Sequence, residues 1–322
     1  MPEPESCPQP CAAPKSRKTS LTFRSGSAWL GFWLGLFCLV APALFAAETP
    51  AFERTEDVIY GRKFGTALTL DVFRPKESNG LGLIWMVSGG WYSSHDAINA
   101  SFCLPLLQRG YTVFAVVHGS QPKFCISEIE PDIHRAVRFI RHNAATYHIN
   151  PDKLGIYGGS AGGHLTLTIA TQGGPGDPAA NDPVERESSA VQCAACFFPP
   201  TDFLNYSRTN ENAIGLDSLK EYRPAFGPRA ATPEDREALG REISPIYYVH
   251  SNQPPILIIH GTADKLVPIF QSERFVAQCE AVHAEAKLLP REGKGHGWPE
   301  LGQDLEIFAD WFDQHLRNLP PK

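Results

Sequence analysis

The sequence lacks an excess of basic charge. Its 322 residues hold 29 lysines and arginines against 35 acidic residues, and the net charge is −6. Because nucleic-acid binding needs clustered positive charge, a nucleic-acid partner is not expected. A repeat of fixed period is also absent. With 43% hydrophobic and 20% charged residues, the composition is that of a globular protein with one large domain.

Cysteine is sparse, and its spacing does not predict a metal site. Five of the eight cysteines follow residue 47: Cys103, Cys125, Cys193, Cys196 and Cys279. Cys193 and Cys196 have the spacing of half a metal or redox motif, but no second pair lies nearby and their segment predicts a buried strand, so a core role is expected. An odd number leaves at least one thiol unpaired, and Cys103 with Cys125 is the disulfide we expect. No metal and no cofactor are predicted.

The long apolar run of the chain lies near its N-terminus. Residues 1–27 carry basic side chains, residues 28–47 are apolar and uncharged, and a pair of alanines precedes Glu48. Basic, apolar and small residues in this order are typical of a secretory signal, which predicts export to the periplasm or the exterior. Residues 28–47 could also anchor the chain in a membrane, and this alternative stays open. The globular domain is then expected over residues 48–322.

The most informative stretch that is present is Gly158-Gly159-Ser160-Ala161-Gly162. It matches G-x-S-x-G, a tight turn between a strand and a helix that lifts a serine hydroxyl above the edge of a sheet. Residues 154–157 predict the strand, and residues 163–170 predict the helix. The context predicts that Ser160 is a nucleophile.

A serine nucleophile needs a base and an orienting acid, and both are predicted later in the chain. Asp264 follows an apolar strand, at the end where ligands of α/β sheets bind. His296 lies between glycines in a loop after a last short strand, which favours a positioned imidazole over a packed one. Asp264 as a helix cap is the alternative interpretation of that acid. The competing acid and bases are Asp202, His164, His260 and His283.

The third requirement is a set of N–H donors for a developing oxyanion. An apolar strand over residues 82–87 runs into Ser88-Gly89-Gly90-Trp91, whose glycines leave backbone N–H groups open to a substrate carbonyl. Two donors from this loop are predicted, and the N–H of Ala161 joins them. An ordinary Gly-Gly turn is the alternative interpretation.

These segments together resemble the esterase branch of the α/β-hydrolases, close to hormone-sensitive-lipase-like carboxylesterases and bacterial feruloyl or acetyl xylan esterase domains. The resemblance runs from about Val58 to Trp298 and includes LDVFRP at residues 70–75 and HGTAD at residues 260–264. It implies hydrolysis of a small acyl, aryl or sugar ester, free or linked to a polysaccharide, through an acyl-enzyme. In one departure, Ser88 stands where the branch usually has a histidine that braces the oxyanion loop. Alignment with the loop of that branch implies that Gly90 and Trp91 are the donors, with Gly89 as the alternate.

The expected fold is α/β: an eight-stranded, mostly parallel sheet with helices on both faces and a small lid at about residues 201–243. The motif positions and apolar runs predict strands near residues 56–60, 67–73, 82–87, 112–117, 154–158, 192–198, 255–260 and 286–290. They predict helices near residues 98–109, 129–147, 161–172, 268–283 and 302–317.

Two other functions stay open. A prolyl-oligopeptidase-like peptidase shares the elbow and the late acid and histidine, but the segment from Glu48 to Ser88 is too short for the propeller that such enzymes usually carry. A non-catalytic binding module on this fold typically lacks a member of the triad, and here all three are present. The sequence does not predict an oligomeric state.

Overall fold

The computed structural model describes residues 52–320, which are built around one eight-stranded sheet of strand order β1-β2-β4-β3-β5-β6-β7-β8. The strands are β1 Phe52–Lys63, β2 Thr66–Pro75, β3 Gly82–Met86, β4 Thr112–Val117, β5 Leu154–Gly159, β6 Cys193–Phe197, β7 Ile256–Gly261 and β8 Ala286–Arg291. β2 is antiparallel to both of its neighbours, and the other pairs are parallel. The predicted eight-stranded, mostly parallel sheet is confirmed.

The inner strands are continuous apolar runs because both faces of the sheet are covered. Side chains alternate between the faces along β3: Leu83 and Trp85 belong to one buried cluster, Ile84 and Met86 to the other. Two cores therefore lie on opposite sides of the sheet, which holds the carboxyl ends of its strands in fixed positions.

Helices cover both cores. In the described part of the chain the α-helices are α1 Leu104–Gln108, α2 Ile126–His142, α3 Ala144–Tyr147, α4 Ala161–Gln172, α5 Arg223–Phe226, α6 Pro233–Glu242, α7 Phe270–Ala281 and α8 Leu301–Arg317. α1 and α8 contribute to the cluster that contains Trp85, and α2 to α7 contribute to the cluster that contains Ile84.

Two predicted helices differ from the structure. The helix expected over residues 98–109 is a 3-10 turn at Ala100–Phe102, where the Asn99 side chain accepts from the N–H of Ser101, followed by the short α1. The helix expected over residues 129–147 is divided into α2 and α3. Asn143 lies at the division, and its side-chain amide donates to the carbonyl of Phe139 at 2.8 Å, which satisfies one carbonyl of the last turn of α2.

The expected disulfide between Cys103 and Cys125 is wrong, since all five described cysteines are free thiols. Cys103 is buried in the cluster that contains Trp85. Cys125 precedes α2, whose first residue, Ile126, is buried in the opposite cluster. The sheet therefore separates the two thiols, which sequence spacing alone does not reveal.

The signal or anchor predicted over residues 1–47 lies outside the described residues. Between residues 52 and 320, none of the helices is long and apolar enough to cross a bilayer. The segment predicted as a lid, residues 201–243, folds into short 3-10 helices, α5 and α6. It supplies Phe203, Leu219 and Phe226 to the wall of a cavity at Ser160. Its boundaries as a lid stay a prediction.

Candidate active site

The turn between β5 and α4 holds Ser160 in a conformation that L-residues rarely adopt, with φ 55° and ψ −121°. Neighbouring backbone atoms lie so close to the flanking glycines that no side chain fits at either position. A Cβ at Gly158 would lie 2.5 Å from the carbonyl oxygen of Gly162, and one at Gly162 would lie 2.5 Å from that of Met86. The predicted strand, tight turn and helix are all present, and they fix the serine at the sheet edge.

The structure brings the three predicted side chains into one hydrogen-bonded chain. His296 Nε2 lies 2.9 Å from Ser160 Oγ, and His296 Nδ1 lies 2.7 Å from Asp264 Oδ2. The carboxylate can only accept, so Nδ1 carries the proton and Nε2 is free to accept from the serine hydroxyl. The arrangement can therefore remove a proton from Ser160 and store it on an imidazole beside a carboxylate.

Hydrogen bonds, rather than exposure, keep Asp264 ionised. Burial alone would raise its pKa, but hydrogen bonds from His260 and His296 and from the N–H of Val267 outweigh burial and hold the pKa well below its ordinary value. Oδ1 accepts from the N–H groups of Leu266 at 2.9 Å and Val267 at 3.0 Å. These are turn contacts within the loop, and α7 begins several residues later, so Asp264 is not the cap of that helix.

The competing acid, Asp202, is buried elsewhere. Its carboxylate is paired with Arg274 at 3.0 Å and accepts from the hydroxyl of Tyr247 at 3.1 Å. Within residues 52–320, its hydrogen-bond partners include no histidine. Asp202 therefore does not orient an imidazole.

The competing histidines also have other surroundings. His164 is buried in α4, and its Nδ1 lies 3.2 Å from the indole nitrogen of Trp91. His260 is buried near the end of β7, where its Nδ1 lies 2.6 Å from the hydroxyl of Ser272 and its Nε2 lies 3.4 Å from Asp264 Oδ2, and His283 is exposed after α7. Among the described histidines, His296 is the one within hydrogen-bonding distance of the elbow serine.

The loop after β3 retains two free backbone donors. The N–H of Gly89 is donated to the carbonyl of Tyr92 at 3.0 Å, so the alternate donor is already used. In the described chain, the N–H groups of Gly90 and Trp91 have no acceptor. Ala161 is the first residue of α4, where a backbone N–H has no partner within the helix. Gly90, Trp91 and Ala161 thus remain as candidate oxyanion donors.

Contacts to the carbonyl groups fix the direction of these donors. In a trans peptide, the C=O and the following N–H point in opposite directions. The carbonyl of Gly89 accepts from the N–H of Tyr92 at 2.9 Å, and that of Gly90 accepts from the side-chain amide of Gln121 at 3.4 Å. The N–H groups of Gly90 and Trp91 therefore point away from those partners. Both residues line a cavity at the elbow serine.

Two cavities meet at Ser160. The smaller has a volume of about 20 Å³ and is lined mainly by apolar and aromatic side chains. The larger is an open cleft of about 530 Å³, and His296 lines it. The smaller cavity is therefore much more restricted than the cleft.

Sequence reasoning missed two residues beside the site. The ring centroid of Phe198 lies 4.4 Å from that of His296. His118 Nε2 lies 2.9 Å from Ser88 Oγ. Phe198 directly follows β6 and His118 directly follows β4, so both lie at the carboxyl ends of parallel strands. Ligand sites of open α/β sheets form at those ends, and this position was the available signal.

One cluster within residues 52–320 has a spacing that suits a metal ion: Glu56, Asp71 and His95, whose ligand atoms lie within 4.8 Å of one another. A cation of the protein already lies there. Arg54 Nε donates to Asp71 at 2.8 Å and lies 3.3 Å from the carboxylate of Glu56. The guanidinium of Arg54 neutralises the carboxylates of Glu56 and Asp71, so the cluster is an ion-pair network.

The sequence is similar to known esterases. A family model described as BD-FAE matches residues 70–279. The chain is 31% identical over 232 residues to Esterase LipQ of Mycobacterium tuberculosis (strain ATCC 25618 / H37Rv), and the alignment covers 70% of this chain and 52% of LipQ. The chain thus spans about half the length of the curated relatives that it matches.

Two solved esterase structures have the same architecture, and this chain aligns with almost the whole length of each. A truncated form of a carbohydrate esterase from gut microbiota has a TM-score of 0.70 at 26% identity, covering 83% of this chain and 98% of that chain. Esterase 2 of Thermogutta terrifontis with butyrate bound has a TM-score of 0.66 at 25% identity, covering 85% of this chain and 98% of that chain.

Proposed function

The chain belongs to the BD-FAE family and has the α/β-hydrolase fold, and we propose that it is a serine carboxylic ester hydrolase that acts through an acyl-enzyme. The observation that carries this proposal is the chain of hydrogen bonds from Ser160 to His296 to Asp264, at 2.9 and 2.7 Å. The carbohydrate esterase and LipQ, by their names, support the same chemistry.

The proposed reaction has two halves. Ser160 Oγ attacks the ester carbonyl carbon as His296 Nε2 accepts its proton, and the carbonyl oxygen becomes an oxyanion bound by the N–H groups of Gly90, Trp91 and Ala161. The bond to the alcohol then breaks, and the alcohol leaves with the proton from His296. Water, deprotonated by the same imidazole, attacks the acyl carbon, the bond to Ser160 Oγ breaks, and His296 returns the proton to Oγ as the acid is released.

We infer a short acyl group and a bulky alcohol. The alcohol takes its proton from His296, so it occupies the larger cleft, which His296 lines. The acyl chain then enters the smaller cavity, which Leu219, Tyr222 and Phe226 close. The small volume and apolar lining of this cavity suit a short chain such as acetyl or propionyl. The larger cleft suits a sugar, including one that is part of a polysaccharide.

Covalent labelling tests the nucleophile. We expect a fluorophosphonate to add one phosphonyl group to the peptide that contains Ser160, with loss of p-nitrophenyl acetate hydrolysis at the same rate. Ser251, in an exposed turn, is a matched control, and Ser251→Ala should label like the wild type. A folded wild-type protein that neither labels nor hydrolyses the ester contradicts the proposal.

The two alternative functions predict other results in the same assay. A prolyl-oligopeptidase-like enzyme would label at Ser160 yet release nitroaniline from a prolyl substrate and leave short esters intact. A binding module would neither label nor hydrolyse. Ester hydrolysis without prolyl-amide cleavage is the result that we expect.

Enlarging the smaller cavity should change acyl-chain selectivity. Leu219 is buried and lines the cavity, so Leu219→Ala removes carbon atoms from its wall. One methylene changes discrimination by about 10- to 200-fold, so we expect the ratio of kcat/KM for p-nitrophenyl butyrate to that for the acetate to rise at least about tenfold.

Leu239→Ala is the matched control for this prediction. Leu239 is buried in the same core cluster but does not line the cavity. It should lose a similar amount of stability and keep the wild-type ratio. An unchanged ratio in Leu219→Ala, or an equal rise in Leu239→Ala, would show that this cavity does not hold the acyl chain.

A further inference from the structure

The segment that follows β4 holds the loop that carries the oxyanion donors. The backbone N–H of Gln121 donates to the carbonyl of Trp91 at 3.1 Å, and the N–H of Ser93 donates to the hydroxyl of Ser120 at 3.0 Å. These contacts join two segments that are distant in sequence. The loop after β3 is therefore shaped by residues 118–121 as well as by its own sequence.

Within residues 118–121, His118 is the residue whose side chain contacts Ser88, the residue just before the glycines of the loop. It is buried, and its Nδ1 lies 2.7 Å from the carbonyl of Gly119. A carbonyl only accepts, so Nδ1 carries the proton and Nε2 is an acceptor for the hydroxyl of Ser88 at 2.9 Å. Burial lowers the pKa of His118 to about 4, so the imidazole stays neutral near pH 7 and keeps this hydrogen-bond polarity.

The main chain of Ser88 is hydrogen-bonded to the turn that carries the nucleophile. Its carbonyl accepts from the N–H of Gly162 at 3.3 Å, and Gly162 is in the first turn of α4, directly after Ser160 and Ala161. The position of Ser88 thus depends on the elbow through its main chain and on His118 through its side chain. Gly90 and Trp91 follow Ser88 closely, so a shift of Ser88 moves them relative to the serine.

We propose that His118 is a positioning residue for the oxyanion loop: its imidazole, supplied from the end of β4, braces the loop through Ser88. The loop carries no histidine at position 88, and the hydroxyl there accommodates an imidazole that comes from a neighbouring strand instead. His118 does not touch the substrate. It acts by keeping the N–H groups of Gly90 and Trp91 where the oxyanion forms, an inference that rests on the proposed ester hydrolysis.

Kinetics of His118→Ala, Ser88→Ala and the double variant test the proposal. Displacing reacting groups by about 1 Å can cost a hundredfold, and losing one oxyanion donor costs about a hundred- to a thousandfold. We expect each single variant to lower kcat about ten- to a hundredfold with KM changed by less than about threefold. Because both act through one contact, the double variant should be no slower than the slower single variant.

A transition-state analogue separates positioning from general destabilisation. A trifluoromethyl ketone adds to the serine and forms a hemiketal whose oxyanion binds the same N–H groups. Its Ki should rise in proportion to the loss of kcat/KM. The matched control is His134→Ala, because His134 Nδ1 also lies 2.9 Å from a serine hydroxyl, that of Ser189, away from the loop. His134→Ala should leave kcat and Ki unchanged.

The outcomes separate this inference from the proposed function. Suppose that the wild type is active and that His118→Ala has the same kcat and Ki as His134→Ala. The proposal that His118 positions the oxyanion loop is then wrong, and the proposed ester hydrolysis is unaffected. Losses that multiply in the double variant also overturn the positioning role of His118, since the two residues would then act independently. A folded but inactive wild type overturns the proposed function itself. Ser88→Ala removes a single oxygen atom, so it remains a valid test where His118→Ala fails to fold.

Discussion

Replacing Ser160 by alanine is expected to lower kcat for p-nitrophenyl acetate by about a millionfold, the loss typical of removing a serine nucleophile from a triad. The substitution deletes Oγ, which lies 2.9 Å from His296, and leaves the donors of the oxyanion loop in place. Residual catalysis of about a thousand- to ten-thousandfold over water should remain from those donors and from binding. The measurement is the initial rate at saturating ester, corrected for spontaneous hydrolysis.

The fold of Ser160→Ala should be unchanged, because alanine can occupy the tight turn and the flanking glycines remain. Equal thermal unfolding midpoints would establish this for the variant and for wild type. Ser251→Ala, altered in an exposed turn, should keep the full rate. If Ser160→Ala keeps more than about a tenth of the wild-type kcat, far above the expected residual rate, the acyl-enzyme proposal is wrong.

Much of the fold follows from local patterns in the sequence. The parallel strands β3, β4, β5, β6 and β7 are short apolar runs because they are buried on both faces, and each run marks its strand without reference to the rest of the chain. The elbow is equally local, since the close backbone approach at Gly158 and Gly162 allows no side chain. The residues that meet at Ser160 were predictable because Asp264 and His296 each follow a recognisable strand.

What could not be predicted depends on contacts between distant segments. Cys103 and Cys125 are near in sequence, yet the sheet lies between them, and only the face on which each helix packs reveals this. The N–H of Gly89 is used by Tyr92 through the shape of the loop, which the glycine pattern does not encode.

The contact of Ser88 with His118 is of the same kind. It joins the ends of two neighbouring strands, β3 and β4, that are separated in sequence by α1. A serine at position 88 carries no signal in the sequence that an imidazole from another strand lies beside it. The pairing register of β3 with β4, in which Met86 is opposite Val116, brings the two ends together.

Replacing Asp264 by asparagine is expected to lower kcat about ten-thousandfold while leaving Ser160 and His296 in place. The carboxylate accepts from His296 Nδ1 at 2.7 Å, which fixes the proton on that nitrogen and leaves Nε2 free to accept from the serine. An amide can donate to Nδ1 instead and so favour the opposite tautomer, in which Nε2 carries the proton and cannot act as the base. It also lacks the negative charge that stabilises the imidazolium.

Asp202→Asn is the control, because Asp202 is also buried and charged but is paired with Arg274. It should lose stability and keep kcat, whereas Asp264→Asn should lose both.

The pKa of Asp264 is depressed in the folded protein, so its ionised form stabilises the fold above its unfolded pKa, and this stabilisation is lost as the pH falls towards the folded value. The difference in unfolding free energy between wild type and Asp264→Asn should therefore be constant near pH 7 and shrink below the ordinary aspartate value of 3.8. Comparable losses of kcat in the two variants, or a difference in stability that grows in acid, would show that Asp264 is not the ionised partner of His296.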